Sequence, residues 1–155
     1  MKHLFASALT AATLIASGAF AEDTVLTVTK DGQETALTMA ELKAMPATSF
    51  ETVTQWTEGG AVTFTGVSLA DFTAHFEVSE GTMGAIAIND YKVEIPVSDA
   101  VEGGPIIAYE MNGEEMSRRD KGPLWVIYPF DDTPEYQSET YYSRAIWQLD
   151  RVTFE

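Results

Sequence analysis

Short apolar segments separated by tight-turn dipeptides constrain the fold of this chain more than any other sequence feature. Asn112-Gly113 is the strongest of these turns, because both residues accept the positive φ that a two-residue hairpin turn requires. It joins the apolar segment Ile106–Met111 to the short segment Glu114–Met116. Asn89-Asp90 and Asp31-Gly32 are further turn dipeptides of the same kind. The chain therefore predicts antiparallel hairpins rather than repeated parallel βαβ units.

The remaining segments predict further short strands and a few short helices. Thr38-Met39-Ala40-Glu41 is a capping box that opens a helix, and Pro46 ends that helix. Ser68 can cap a second helix near Leu69–Phe76, whereas the continuous apolar run Leu124–Tyr128 is typical of a strand buried on both faces. Other strands are expected at residues 26–29, 34–37, 49–55, 61–65, 84–88, 91–95 and 147–154, and a last helix near 140–145. The predicted class is α+β, with mixed β-sheets and a few short helices.

The start of the chain has the three-part organisation of a cleavable secretion signal. Lys2 gives a basic start, residues 4–20 form an apolar run, and Ala19-Phe20-Ala21 fits the small-residue rule for cleavage. The alternative is a membrane anchor, but polar residues interrupt the run and no basic flank follows it. The sequence therefore predicts a signal peptide at residues 1–21, a single domain at residues 22–155, a periplasmic location and no membrane insertion.

Charge limits the classes of partner. The chain has 24 acidic and 9 basic residues and a formal net charge of −15, so it would repel a nucleic acid, which is not an expected partner. Three of the few basic residues fall within Arg118-Arg119-Asp120-Lys121. This concentration indicates a site for an anionic or electron-rich ligand. The alternative is a solvated turn paired with the neighbouring Glu114-Glu115.

The residues needed for several kinds of catalytic chemistry are missing. The chain has no cysteine and two histidines, of which His3 belongs to the expected signal peptide. This excludes zinc-finger sites, Cys–His catalysis and most multi-histidine metal sites. The sequence also lacks the G-x-S-x-G, G-x-G-x-x-G and Walker motifs. We therefore expect a ligand-binding protein that is not an enzyme and requires no metal.

Aromatic and cationic residues are concentrated at turns and strand ends, where aromatic side chains are costly to leave in water unless they pack or bind. Such a set can hold a flat heteroaromatic ring between indole or phenol faces, with guanidinium, carboxylate and amide groups at its polar edge. The candidate ligand-binding residues are Trp56, Asn89, Asp90, Tyr91, Arg118, Arg119, Asp120, Tyr128, Tyr142, Arg144 and Trp147. Alternatively, Trp147 and half of the tyrosines belong to the core, as we expect for Trp125; for Trp56 and Tyr142 we favour binding.

A combination of short motifs runs from about Thr52 to the C-terminus. The motifs are Thr54-x-Trp56-Thr57, Phe64-x-Gly66-Val67, Asn89-Asp90-Tyr91, Met111-Asn112-Gly113-x-x-Met116, the run from Arg119 to Pro129, and Arg144-x-Ile146-Trp147-Gln148-Leu149. Through them the chain resembles small periplasmic proteins built on the molybdopterin-binding domain of the sulfite oxidase fold. The resemblance implies that fold and a pocket shaped for a pterin.

In the catalytic members of that family a cysteine thiolate binds molybdenum, a role that needs a soft ligand. Because this chain has no cysteine, it is more similar to the PruR type of periplasmic pterin-binding regulator. Those relatives bind a reduced, metal-free pterin and contact the periplasmic region of a membrane signalling protein that controls cyclic-di-GMP turnover. The resemblance therefore implies a pterin sensor with such a signalling protein as its partner.

The same resemblance suggests roles for the candidate residues. Trp56 or Tyr142 would stack on the pterin ring, and Asp90 or Asp120 would pair with its aminopyrimidine edge. Arg119 or Arg144 would hold the pterin carbonyl or its side-chain hydroxyls. Two other interpretations stay open. One is a molybdopterin-dependent oxidoreductase, or a subunit of one, without a cysteine ligand; the other is a ligand-free interaction module whose cationic turn docks an acidic partner.

Overall fold

The computed structural model describes residues 23–155, which form ten β-strands and three short α-helices. The expected signal peptide at residues 1–21 lies outside the described residues. Within residues 23–155 no helix is long and apolar enough to cross a membrane. The predicted α+β class with mixed sheets is confirmed, because antiparallel and parallel strand pairs occur in the same structure and the helices are short.

The first sheet brings the two ends of the described chain together. Its strands, in spatial order, are β2 (Gln33–Thr38), β1 (Thr24–Lys30), β10 (Leu149–Phe154), β5 (Thr82–Ala87) and β6 (Lys92–Pro96). β1 and β10 run parallel, with Val28 opposite Val152, whereas the other neighbours in this sheet are antiparallel. The Asp31-Gly32 and Asn89-Asp90 turns join β1 to β2 and β5 to β6, as the sequence predicts.

The second sheet is antiparallel. Its strands are β3 (Ala47–Thr52), β4 (Val62–Ser68), β7 (Ile106–Met111), β8 (Glu114–Glu115) and β9 (Trp125–Ile127). β8 and β9 share one edge of β7, where β9 pairs with its first half and β8 with its last residues. The hairpin predicted at Asn112-Gly113 is confirmed, since this turn connects β7 to β8.

Side-chain caps start two of the helices where the sequence predicts them. The helices are α1 (Met39–Ala44), α2 (Leu69–His75) and α3 (Glu139–Arg144). Thr38 Oγ1 accepts the N–H of Glu41 at 3.2 Å, and a carboxylate oxygen of Glu41 accepts the N–H of Thr38 at 2.8 Å. Ser68 Oγ accepts the N–H of Asp71 at 2.9 Å. Each cap satisfies N–H groups that the first helical turn leaves without partners.

Strand β9 of the second sheet is buried on both faces and lies between the two clusters of apolar packing. Val126 of β9 belongs to the larger apolar cluster, together with Val28 of the first sheet. Trp125 and Ile127 belong to a second cluster on the opposite face, which also contains Phe64. Successive side chains of a strand point to opposite faces, so the prediction that this strand is buried on both faces is confirmed.

β3 ends at Thr52, earlier than the expected end at Gln55. The ladder stops because the N–H of Val53 donates to Asp131 Oδ2 at 2.7 Å instead of to a neighbouring strand. A hydrogen bond between backbone and side chain competes here with the sheet. Residues 53–61 therefore form a loop, and this loop carries part of the candidate site.

β4 is longer than the sequence predicts, since it runs through Gly66 to Ser68 instead of ending at Thr65. Gly66 permits the extension because its backbone lies directly against β7. A Cβ at this position would overlap the carbonyl oxygen of Ile107 and lie 2.6 Å from the Cα of Ala108. Glycine in a strand interior often marks such a close backbone approach.

We expect Gly66→Ala to lower the free energy of unfolding by about 2–3 kcal/mol, because β4 or β7 must move to admit the methyl group. Urea denaturation followed by circular dichroism measures this change. Thr65→Ala, on the same strand but with a partly exposed side chain, is the control and should cost less than about 1 kcal/mol. Equal losses in the two variants would show that the close approach is not a constraint.

Candidate functional site

Hydrogen bonds of side chains hold the loop of residues 53–61 in place. Thr54 Oγ1 accepts the N–H of Trp56 at 3.2 Å and pairs with Thr57 Oγ1 at 2.8 Å. Asp131 accepts the N–H of Val53 and, at 3.3 Å, the hydroxyl of Thr52. These bonds satisfy polar groups of the loop, including the buried Thr54 hydroxyl, and they fix the backbone next to and at Trp56.

Trp56 is half-buried and lies at the centre of an aromatic cluster formed by Trp56, Trp125, Phe130, Tyr142 and Trp147. Its ring centroid is 5.8 Å from that of Trp147 and 5.9 Å from that of Tyr142. The rings of Trp125 and Phe130 both lie 6.1 Å away. All four pairs meet edge to face, an arrangement that stabilises aromatic pairs by about 0.5–1.5 kcal/mol beyond area burial. The side chain of Trp56 is therefore held in one position by its four aromatic neighbours.

A cleft of about 300 Å³ opens beside the aromatic cluster. It brings together five of the candidate residues: Trp56, Asn89, Tyr91, Tyr142 and Trp147. The other lining residues are Ala87, Ser143, Ala145, Ile146 and Gln148. None of these described lining residues is charged. The volume is at the lower end of the range for small-molecule sites, and the lining combines aromatic walls with neutral polar groups.

Two amide side chains supply the polar groups of the cleft. Asn89 Oδ1 accepts the N–H of Tyr91 at 3.2 Å, and Gln148 Nε2 donates to the carbonyl oxygen of Arg118 at 2.8 Å. Within residues 23–155, Asn89 Nδ2 and Gln148 Oε1 make no further hydrogen bond, so one donor and one acceptor remain. Gln148 and Ser143 were not among the residues predicted from the sequence. The signal available for Gln148 was its place in the motif Arg144-x-Ile146-Trp147-Gln148-Leu149, directly after the candidate Trp147.

A second recess, also of about 300 Å³, shares Trp56 with the cleft but has charged residues in its wall. Asp120 lies here and not in the cleft, together with Glu58 and Lys121. The Lys121 ammonium is 3.8 Å from the ring centroid of Trp147 and 5.6 Å from that of Trp125, the geometry of a cation–π contact. The aromatic cluster thus borders a neutral cleft and a charged recess.

Three further candidate residues do not line the cleft. Asp90 is exposed at its hairpin tip, and its Oδ1 lies 2.8 Å from Arg151 Nη2. Arg118 and Arg119 are exposed, and neither makes an ion pair with any residue in the range 23–155. The alternative of a solvated turn agrees with this exposure, but its expected pairing with Glu114-Glu115 is absent among the described residues, and Glu115 pairs with a lysine of α1 at 2.8 Å instead.

The structure corrects the expected placement of Tyr128 and Arg144 at the ligand. Tyr128 is fully buried, and its hydroxyl donates to Asp99 Oδ2 at 2.7 Å. Arg144 Nη1 donates to the same oxygen at 2.9 Å, and neither residue lines the cleft. Asp99 was not predicted from the sequence, because no local pattern marks it and its partners are 29 and 45 positions away. The three side chains therefore connect helix α3 to the residues that follow β6 and β9.

Burial is the main cause that raises the pKa of the Tyr128 hydroxyl far above its ordinary value, and the hydrogen bond and negative charge of Asp99 raise it further. Ionising this hydroxyl would place a phenolate in the core beside a carboxylate. The folded protein therefore keeps the phenolic proton at a pH at which the unfolded chain releases it.

The chain belongs to the family described as oxidoreductase molybdopterin binding domain, whose model matches residues 17–130. The matched part contains Trp56, Asn89 and Tyr91, whereas Tyr142 and Trp147 follow its end. None of the curated proteins matches the chain.

Among solved structures, the chain is similar to the crystal structure of the sulfane dehydrogenase SoxCD from Paracoccus pantotrophus, with 15% sequence identity and a TM-score of 0.63. The comparison covers 86% of this chain and 38% of that chain, so this chain spans well under half of that protein's length. At this identity the similarity shows the fold alone. The predicted molybdopterin-binding-domain-like fold of the sulfite oxidase type is confirmed.

The residues present do not fit a molybdenum centre of the kind held by a cysteine thiolate. The chain has no cysteine, and residues 23–155 contain no group of three or more His, Cys, Asp or Glu side chains placed to hold a metal ion. The described lining of the cleft also has no cation to pair with the phosphate group of molybdopterin. Its aromatic walls and amides instead suit an uncharged heteroaromatic ring.

The buried Tyr128 hydroxyl predicts a specific loss of stability in alkali. Because its folded pKa is above the unfolded value of about 10, its contribution is complete below about pH 10 and falls as pH rises. Above that pH, the wild type should lose up to about 1.4 kcal/mol per pH unit more than Tyr128→Phe. Urea denaturation across this range measures the difference. Tyr91→Phe, at an exposed position, should follow the wild type; parallel curves for wild type and Tyr128→Phe would contradict the assignment.

Proposed function

We propose that this protein is a periplasmic, non-catalytic sensor that binds a reduced, metal-free pterin in the cleft. The observation that carries the proposal is the lining of that cleft, which combines Trp56, Tyr142 and Trp147 with two amides and no charged residue among those described. A pterin is a flat bicyclic ring whose edge carries both hydrogen-bond donors and acceptors. Aromatic walls and neutral amides are complementary to such a ring.

The donor and the acceptor that remain free among the described residues of the cleft fix the orientation in which a pterin ring can bind. Asn89 Nδ2 donates to a ring nitrogen or carbonyl oxygen, and Gln148 Oε1 accepts from a ring N–H or amino group. Both side chains are held by a bond at the other amide atom, so little of their rotamer freedom is lost on binding. In this proposal these amides take the roles that the resemblance suggested for Asp90 or Asp120 and for Arg119 or Arg144.

The signalling part of the proposal rests on the resemblance to PruR-type regulators. In it, the pterin-loaded protein contacts the periplasmic region of a membrane signalling protein that controls cyclic-di-GMP turnover. The missing cysteine and the neutral cleft support binding without redox catalysis. Anchored aromatic walls support recognition by a preformed site, which limits the ordering cost of binding.

The test is an anaerobic titration of the purified protein with a tetrahydropterin. All three tryptophans belong to the aromatic cluster, so their fluorescence should change with saturation at micromolar ligand. Tyr142→Ala removes one wall of the cleft and should weaken binding at least about tenfold, a loss of about 1.4 kcal/mol. Isothermal calorimetry on the same samples gives the two dissociation constants.

The matched control is Tyr141→Ala, on the same helix. Tyr141 does not line the cleft; its ring lies 5.3 Å from that of Tyr128, and its hydroxyl donates to Glu135. This variant should keep affinity within about twofold if it remains folded by circular dichroism, because no contact with the ligand is lost. No saturable signal in the wild type, by fluorescence and calorimetry alike, would refute pterin binding.

A second candidate function, a molybdopterin-dependent oxidoreductase or a subunit of one, is favoured by the family to which the chain belongs. Metal analysis of protein purified from its native cell separates the two candidates. Because the donor set lacks a soft thiolate, we expect molybdenum far below one atom per chain. Stoichiometric molybdenum would favour the oxidoreductase over the sensor.

A further inference from the structure

The segment Ser117–Lys121, here called the basic loop, carries exposed positive charge on a strongly acidic protein. The other cations within residues 23–155 are already engaged. Lys43, Lys92, Arg144 and Arg151 each have a carboxylate oxygen within 3.1 Å, and Lys30 donates to the carbonyl oxygen of Phe76. Arg118 and Arg119 have no such partner among the described residues, so their guanidinium groups are available to bind an anion.

The basic loop has a defined backbone. The carbonyl oxygen of Ser117 accepts the N–H of Asp120 at 3.0 Å and that of Gly122 at 2.8 Å. Ser117 Oγ accepts the N–H of Arg119 at 3.2 Å. Gly122 is buried against the backbone of Met116, where a Cβ would overlap the Met116 carbonyl oxygen. The two arginines therefore project from a folded turn, which lowers the ordering cost of binding a partner.

The basic loop is bonded directly to the lining of the cleft. Gln148 donates from Nε2 to the carbonyl oxygen of Arg118 and from its backbone N–H to that of Lys121, at 2.8 and 2.9 Å. The Lys121 ammonium lies 3.8 Å from the ring centroid of Trp147. Gln148 also has a φ of 52°, a conformation that non-glycine residues adopt only when the surroundings hold it. A ligand that contacts Gln148 or Trp147 therefore acts on groups that hold the loop.

We propose that the basic loop docks an acidic segment of a partner protein, and that occupancy of the cleft alters this docking. Arginine pairs with carboxylates through two parallel hydrogen bonds, which suits Asp- or Glu-rich peptide. An extended polyanion or an anionic membrane would meet the acidic remainder of the protein as well, and would be repelled. A short acidic segment contacts the loop alone. The dependence on occupancy rests on the proposed pterin function, whereas the docking itself does not.

The test uses fluorescence anisotropy with a short fluorescein-labelled oligo-glutamate peptide at low salt, first without pterin. The double variant Arg118→Ala/Arg119→Ala should bind the peptide at least about tenfold more weakly than the wild type. Lys92→Ala removes an exposed lysine elsewhere and is the matched control, which should keep wild-type affinity. Equal affinity of the wild type and the double variant would overturn the docking surface. Tighter binding to phosphatidylglycerol vesicles than to the peptide, lost in the double variant, would overturn it in favour of a membrane.

The second stage repeats the peptide titration with tetrahydropterin at concentrations that saturate each protein. The wild-type affinity for the peptide should change at least about threefold. Gln148→Ala removes the side-chain bond to Arg118 but keeps the backbone bond to Lys121, so its peptide affinity should change clearly less than that of the wild type. An unchanged peptide affinity in saturated wild type would overturn the coupling. If tetrahydropterin does not bind at all, the pterin function fails, and the first stage still decides whether the basic loop docks acidic peptide.

Discussion

The indole N–H of Trp125, fully buried on β9, donates to the carbonyl oxygen of Ala145 at 3.1 Å. The ring of the same residue lies 5.4 Å from that of Phe64 in the core and 6.1 Å from that of Trp56 at the cleft. This residue therefore fixes the segment after α3 relative to the second sheet. Tyr142 and Trp147 flank Ala145 in sequence, so the distance between the walls of the cleft follows from a bond made in the interior.

An ion pair between Arg144 and Asp99 holds helix α3, which precedes Ala145 in sequence. No residue of α3 is fully buried, although the half-buried Tyr141 and Tyr142 pack against the larger apolar cluster. Arg144 and Asp99, with side chains 19% and 10% exposed, tie the helix to the turn after β6, and Tyr128 satisfies the same carboxylate. Removing one partner of such a pair leaves an uncompensated buried charge, a costly state. The ion pair with Asp99 thus holds the helix that carries Tyr142 in its position at the cleft.

The features predicted correctly from sequence are those that neighbouring residues decide. The hairpin at Asn112-Gly113 and the cap at Thr38 depend on a few adjacent residues, and both are present. The strand at Trp125–Ile127 was recognisable because three consecutive buried residues need apolar neighbours on both faces.

The site was only partly predictable because it joins distant segments of the chain. Composition near turns marked Trp56 and Tyr142 as candidates, but it could not tell that Tyr128 faces the core. Side-chain direction there depends on the register of β9 and on a carboxylate 29 positions earlier, Asp99. Gln148 was missed because its importance comes from a left-handed backbone conformation and a bond to Arg118, neither of which a residue type reveals.

The position of β10 has a consequence for the order in which the molecule assembles. β10 follows both hairpins of the first sheet in sequence, yet it lies in the middle of that sheet, between the hairpin β1–β2 and the hairpin β5–β6. Until β10 is synthesised, these hairpins have no common neighbour, and an isolated two-stranded hairpin is only marginally stable in water. The first sheet therefore cannot be completed before β10 is synthesised, and the two hairpins that it joins stay open to non-native pairing until then.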